Sequence, residues 1–395
     1  MRTEITLVRR IADIAREEWD ALVGAEGSPF LEWDWLDALE QSGCVTARSG
    51  WSPHHLTVRE NGHLVAAAPM YLKGHSQGEF VFDHTWAEAA ERAGLRYYPK
   101  LLVGVPLTPA TGRRLLTHPD RPREALLATL AQGLVELCGS NELSSVHVNF
   151  CADDEVAPLR EAGFLHRQGV QYHWRNQGYG GFDDYLAALR SKRRTQVRRE
   201  LRDVAEQGVE IEVLEGDAID DALFEPMFRI YLSTIEKLPW GRQYLNQPFF
   251  EQLKQRWKRN LCFVAARQQG EVIAGAINVQ KAGVLYGRYW GCLREVRHLH
   301  FVACYYAGIR HSIDRGFSRF EPGAGGDYKH WRGFDATATH SLHYLAHPGL
   351  ARAVADFVAR ERAYIDEVIV ELGERSALQP GKTSTQRRGG AEDAE

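Results

Sequence analysis

Leu56-Thr-Val-Arg59-Glu-Asn-Gly62-His-Leu64-Val65-Ala66-Ala-Ala68-Pro-Met-Tyr-Leu-Lys73 has a counterpart later in the chain, Val264-Ala-Ala-Arg267-Gln-Gln-Gly270-Glu-Val272-Ile273-Ala274-Gly-Ala276-Ile-Asn-Val-Gln-Lys281. Arg, Gly, two Ala and the closing Lys recur in register, and aliphatic residues match aliphatic residues. Each copy reads as a β-hairpin: two apolar-rich runs joined by a tight turn whose glycine supplies positive φ. Two such hairpins, each in a similar setting of strands and helices, predict one unit built twice.

Bulk properties fit that reading. The chain has 395 residues, 44 % of them apolar and 25 % charged, with a formal net charge of −4. That length suits two domains rather than one core, and the charge provides no global basic field for nucleic acid. The six cysteines are scattered through apolar runs, with no CxxC and no zinc-ligand spacing, and so read as reduced core residues of a cytoplasmic protein. The start, Met1-Arg-Thr-Glu-Ile, begins a strand rather than a leader, and no stretch approaches the ~18 apolar residues of a membrane span.

Strands and helices alternate on both sides of the first hairpin. The loop Asn176-Gln-Gly-Tyr-Gly-Gly181 is the best internal boundary. Beyond it come a helical stretch ending at Gly208, a strand, two helices, the second hairpin with a third strand, a helix over 299–315, a strand ending at Glu321, a glycine-rich loop over 322–334, a strand over 339–345 and a long amphipathic helix over 348–372. The expectation is an α/β (α+β) protein with mixed sheets: a first domain over 1–175, a second over 176–373, and a polar, unstructured tail over 374–395.

The segment from Tyr286 to Phe334 concentrates reactive side chains. Arg288, Tyr289 and Trp290 end a strand, Tyr305 and Tyr306 follow on a helix, and Glu321 stands at the end of the next strand. The loop Pro322-Gly-Ala-Gly-Gly326-Asp327-Tyr328-Lys329-His330-Trp331-Arg332-Gly333 combines glycines that let backbone N–H groups approach an anion with fixed cations and titratable groups. Arg190, Arg194, Arg198 and Arg202 form one stripe of a basic helix over 190–202, a place for phosphates or simply a solvated face. His340, His343 and His347 straddle a strand and a turn, no HExxH occurs, and no metal is expected. GxSxG and GxxxxGK[ST] are absent, which removes support for a serine-hydrolase elbow and a P-loop.

Several segments together resemble the FemAB-like family of N-acyltransferases, a GNAT-related group: Ser28-Pro-Phe-Leu, Gly50-Trp-Ser-Pro-His-His-Leu56, Tyr71-Leu-Lys-Gly-His-Ser-Gln-Gly-Glu-Phe-Val-Phe-Asp83, Tyr97-Tyr-Pro-Lys-Leu, Val105-Pro-Leu-Thr-Pro109, Gln171-Tyr-His-Trp-Arg-Asn176, Trp240-Gly241, Gly287-Arg-Tyr-Trp-Gly-Cys292 and Leu299-His-Phe301 with Cys304-Tyr-Tyr306. The resemblance spans about residues 28 to 372. It implies two tandem GNAT-like domains and transfer of an acyl or aminoacyl group from an activated carrier to a small-molecule amine. Acyl-CoA is the expected donor. Phe182-Asp-Asp-Tyr185 and the basic helix look like the second domain of Fem-type aminoacyltransferases, which makes tRNA, or the phosphates of CoA, the alternative partner of residues 190–202. Val302 stands where the family pattern suggests an acid, and Ala324-Gly-Gly-Asp327-Tyr328-Lys329 replaces a loop that usually reads Ala-Gln-Gly-Glu-His-Lys. The GNAT pyrophosphate loop is missing after Trp290. These departures support a third reading, a non-catalytic relative with a decayed site.

Acyl transfer to an amine needs a base and a donor for the oxyanion or leaving group. Glu321 or Asp327 is the expected base, and Tyr305, Tyr306 or Tyr328 the proton donor. Arg288, Trp290, His300, Lys329 and Arg332 are expected to bind substrate, with Lys73, His75, Asp83 and His84 facing them across a cleft between the halves.

Overall fold

The computed structural model describes residues 2–237 and 242–379. Trp240-Gly241 and the expected tail beyond 379 lie outside the described residues. The first half runs β1 (Thr3–Val8), α1 (Arg16–Val23), α2 (Trp33–Gln41), β2 (Trp51–Pro53), β3 (His55–Glu60), β4 (His63–Ala68), β5 (Met70–Lys73), α3 (His84–Arg92), β6 (Lys100–Val103), β7 (Leu116–Thr117), α4 (Arg123–Ser140), β8 (Ser145–Cys151), α5 (Asp153–Glu161) and β9 (Leu165–Arg175). The second runs α6 (Phe182–Ala188), α7 (Ser191–Glu206), β10 (Val209–Glu215), α8 (Phe224–Glu236), α9 (Gln247–Arg256), β11 (Leu261–Gln268), β12 (Glu271–Lys281), β13 (Val284–Cys292), α10 (Leu299–Phe301), α11 (Ala307–Asp314), β14 (Arg319–Glu321), β15 (Asp335–Leu345) and α12 (Pro348–Glu374).

The doubled hairpin repeats down to its irregularities. Asn61 and Gly62 turn the first at φ +50° and +88°; Gln269 and Gly270 turn the second at +54° and +83°. Two successive positive φ values give a turn whose twist matches that of the strands. Each ladder then slips at the same place, between Val58 and Arg59 in one copy and Ala266 and Arg267 in the other. The surrounding strands follow suit. β1–β3–β4 is antiparallel like β10–β11–β12, β5–β6 is antiparallel like β12–β13, and β6–β8 is parallel like β13–β14. One difference is covalent: Pro69 interrupts the first copy between β4 and β5, whereas β12 continues through Ile277 with only a ladder shift there. Proline has no N–H to give a ladder.

The halves are joined by exchange. The large sheet has eleven strands in the order β10-β11-β12-β13-β14-β9-β15-β8-β6-β5-β2, beside a four-stranded sheet β1-β3-β4-β7. β9 is the last strand of the first half but pairs with β14 of the second, and β15 is the last strand of the second but pairs with β8 of the first. β9 and β15 pair with each other from Asp335↔His173 to His343↔Leu165. β15 thus starts four residues earlier than the alternation over 339–345 suggested, because its first residues are held by β9.

A shared core reinforces the seam. Trp35 of α2 packs on Trp257 at 4.8 Å between ring centroids, and Phe30 on Tyr286 at 5.2 Å. Buried Glu32 accepts hydrogen bonds from Trp257 Nε1 at 2.7 Å, Asn260 Nδ2 at 2.7 Å and Arg259 Nη2 at 2.8 Å, and pairs with Lys281 at 2.9 Å. A buried carboxylate costs several kcal/mol unless its lone pairs are satisfied, and four donors from the other half satisfy this one. After α12 the chain continues to Gln379, whose N–H bonds the Ala188 carbonyl, while Leu378 bridges Leu189. No helix among the described residues is long and apolar enough to cross a membrane.

Candidate active site

The parallel pair β13–β14 holds only through Val284↔Arg319, Leu285↔Phe320 and Tyr286↔Glu321. At Gly287 and Pro322 the strands part, and a cavity of about 190 Å³ opens between Gly287–Trp290 and Pro322–Lys329. The point of divergence demands glycine: a β carbon on Gly287 would stand 3.1 Å from Pro322 Cα and 3.2 Å from its carbonyl carbon. Backbone cannot swing aside as a side chain can, so Gly287→Ala is expected to cost about 1–3 kcal/mol and to narrow the cavity. Chemical denaturation and ligand titration of that variant check both effects.

α10 and α11 are joined by a π-helical turn, Val302–Tyr306. In a regular α-helix residues five apart point in different directions, whereas i→i+5 bonding brings them toward one side. His300 and Tyr305 accordingly stand 5.4 Å apart, ring to ring, and both line the cavity with Cys304. Trp290 lies against His300 at 5.3 Å. The turn interrupts the continuous helix expected over 299–315, and nothing in Leu-His-Phe-Val-Ala-Cys-Tyr-Tyr announces it.

Lys329 provides the cavity's buried cation. It is 3 % exposed, and its Nζ donates to the carbonyl of Gly323 at 2.6 Å and more weakly to that of Ala324 at 3.4 Å. Burial lowers its pKa from the ordinary lysine value to about 8. Burial, together with the Arg332 and Lys329 charges, pushes His300 down to about 4, so its imidazole is neutral at pH 7. Burial raises the Tyr305 phenol, which keeps its proton. Arg288 bonds the Leu107 carbonyl at 2.6 Å and Thr108 Oγ1 at 3.2 Å, tying the cavity wall to the first half. Tyr328 lies half-exposed at the cavity wall.

Other expected site residues lie elsewhere. Phe320 faces α11, so Glu321 beside it points to the opposite side of β14, 2.9 Å from Arg319 and 3.9 Å from His173. Asp327 is exposed and accepts a weak bond from the Tyr172 hydroxyl at 3.4 Å. Tyr306 and Arg332 belong to a buried network: Arg332 Nη2 donates to both Glu200 oxygens at 2.9 and 3.0 Å, Arg332 Nε to Tyr306 Oη at 2.8 Å, and Tyr306 in turn to Glu200. Lys73 and Asp83 sit inside the first half. Lys73 Nζ lies 3.6 Å over Trp51, and Asp83 binds Lys100 and the Tyr97 hydroxyl. His75 contacts the Ser49 carbonyl, and His84 is exposed at the start of α3. None of the four lines the cavity. Asn278 and Cys304 line it and escaped sequence reasoning. Asn278, 2 % exposed, is the one polar residue within Ala274–Val279 of β12, a signal that was there to read.

The matching wedge of the first half is closed. β6 and β8 pair in parallel through Leu101↔Val146 and Val103↔Val148 and then part at Gly104. The segment Val105–Arg114 folds back onto the end of β8: Gly112 N–H bonds the Phe150 carbonyl at 3.1 Å. Fully buried Arg114 spends its donors on the carbonyls of Asn149 at 2.8 Å, Gly112 at 3.1 Å, and Ala110. One wedge of the duplicated fold is plugged and the other is open.

The FemAB-like family, described as peptidoglycan biosynthesis/recognition, matches residues 10–379. The chain belongs to the FemAB-like family. The solved structure of FemX aligns with this FemAB-like chain at a TM-score of 0.56 and 11 % identity, covering 90 % of this chain and all of that one. The C-terminal domain of a protein described as lysylphosphatidylglycerol synthetase, from Agrobacterium fabrum, aligns at 0.55 and 12 % identity, covering 89 % and 96 %. L-PGS from Bacillus licheniformis aligns at 0.50 and 9 % identity, covering 81 % and 95 %. At such identities these likenesses speak for the fold alone, a mixed α/β architecture shared over most of each chain. No curated protein matches the sequence.

Proposed function

We propose that this protein transfers an acyl or aminoacyl group from an activated carrier, held in the open wedge of the second half, to an amine. The observation that carries the reading is Lys329: a buried cation at the splay point of two parallel strands, beside the protonated phenol of Tyr305. A carbonyl entering between β13 and β14 would meet the Lys329 ammonium, which stabilises the negative oxygen of the tetrahedral intermediate. The amine attacks as the free base and a C–N bond forms. The bond from carbon to the carrier's sulfur or oxygen then breaks, and the amine's proton passes to that leaving atom with Tyr305 as relay. Family membership and the likeness to a lysylphosphatidylglycerol synthetase domain support the same reading.

A second reading, aminoacyl-tRNA as the carrier, is favoured by the outer face of α7. Arg198 and Arg202 are exposed there, with Arg190 exposed just ahead of it, and the same helix is tied to the site turn through Glu200–Arg332 and through Arg193, stacked 4.0 Å over Trp331. Acetyl-CoA and an aminoacyl-tRNA, offered in turn with a panel of amines, separate the two. Transfer from tRNA alone, strongly weakened by salt, supports the second. Binding of either donor without turnover would reduce the protein to a non-catalytic relative. Glu321→Gln and Asp327→Asn, both outside the cavity lining, are expected to retain transfer within about tenfold, below the 10²–10⁴ of a lost general base; a larger loss would return the base role to the carboxylate concerned.

A further inference from the structure

A second pocket, of about 280 Å³, shares Ala324 and Gly325 with the donor cavity. Two residues with no side chain larger than a methyl group are therefore common to both. Gly323, Gly325 and Gly326 hold φ of +85°, +72° and +83°, conformations that L side chains rarely adopt, and the Lys329 bonds to Gly323 and Ala324 fix this wall from the donor side. The pocket lies over the paired strands β9 and β15, so both halves of the fold meet in it.

Resting on the transferase reading, we infer that this pocket receives the acceptor, and that the acceptor is a neutral primary amine carrying an apolar, ring-sized body. A two-substrate transfer needs neighbouring sites, and Ala324–Gly325 is the thin wall that these two share. Part of the wall is apolar, with Phe80 and Phe82 from the loop before α3, Phe150 at the end of β8 and Ile365 of α12, beside polar residues of β9 and β15. Rings at such walls recognise flat or aliphatic bodies. The pocket's charges cancel internally. Arg167 and Glu361 form a two-pronged pair at 2.6 and 2.8 Å, leaving no free carboxylate to hold an ammonium. An amine entering such surroundings favours its uncharged form, which is the form that attacks. Thr339, paired with Gly169 on the strand face that carries Arg167, lines the pocket with a hydroxyl oxygen, an acceptor for an amine N–H.

Phenethylamine and ethanolamine are the probes, titrated calorimetrically into the full chain with no donor present. Phenethylamine is expected to bind at least tenfold more tightly than ethanolamine. Thr339→Val, which removes the hydroxyl, and Phe82→Ala, at a side chain 66 % exposed and so harmless to folding, should each weaken it several-fold or more. Equal affinity of the two amines, no binding of phenethylamine, or indifference to both substitutions would overturn the inference. Because no donor enters the measurement, selective phenethylamine binding stands even if transfer is never seen, and transfer to ethanolamine alone would sink the inference while sparing the transferase reading.

Discussion

Lys329→Ala is expected to lower kcat/KM for transfer by about 10²–10³-fold, roughly 2.7–4 kcal/mol, the range for removing one preorganised donor from a developing oxyanion. The pH profile should identify the charge as the cause. With a pKa of about 8, the ammonium is lost as pH rises through that value, so transfer should decline above pH 8 while the acceptor amine's own ionisation shapes the rising limb. Lys329→Arg keeps a cation at every accessible pH and should remove the falling limb, although its planar head fits the Gly323 and Ala324 carbonyls less well. Stability carries the opposite sign. The folded pKa lies below the unfolded value of about 10.4, so the cost of burying the charge is present in full below pH 8 and is relieved between about 8 and 10.4. Denaturation of wild type should show that gain, and the alanine variant should lack it.

Glu200→Ala is expected to have the largest effect on stability. Glu200 and Arg332 are each 2 % exposed, and the substitution strands a guanidinium in the core, at a cost of about 3–5 kcal/mol. The urea midpoint should fall with the slope unchanged. Glu200→Leu combined with Arg332→Met removes both charges and should recover most of the loss, because two well-packed apolar groups replace a pair that was expensive to desolvate. Arg332 ends the turn that begins at Asp327 and carries Lys329. Transfer by Glu200→Ala should therefore weaken even where the protein remains folded.

The duplicated hairpin was legible because its evidence is local: an Arg, a turn glycine and an alternating strand fix register within a few residues. The exchange of β9 and β15 was not, because which strand neighbours which is decided by packing between segments far apart in sequence. Lys329 and Tyr305 stood out for their density of chemistry between strands, and the fold places both in the cavity. The same kind of density misled at Lys73 and Asp83. Their partner Lys100 sits at the edge of the apolar run Leu101–Val103, facing Lys73 across the β5–β6 ladder, and turns what reads as a polar loop into a buried cluster. Arg332 showed a further limit. From the sequence it is one more cation in a reactive loop, and only the inward face of α7, Val197, Glu200 and Val204, shows that its charge is already spent.

The wedge itself admits the most direct test: a crystal structure of the protein bound to a slow donor analogue, CoA or an aminoacyl-adenosine amide. The account predicts density running between Gly287–Trp290 and Pro322–Lys329, with the acyl-bearing end beside Tyr305 and the Lys329 ammonium. A donor seated in the first half, against Val105–Arg114, or on a surface remote from β13 and β14, would contradict it.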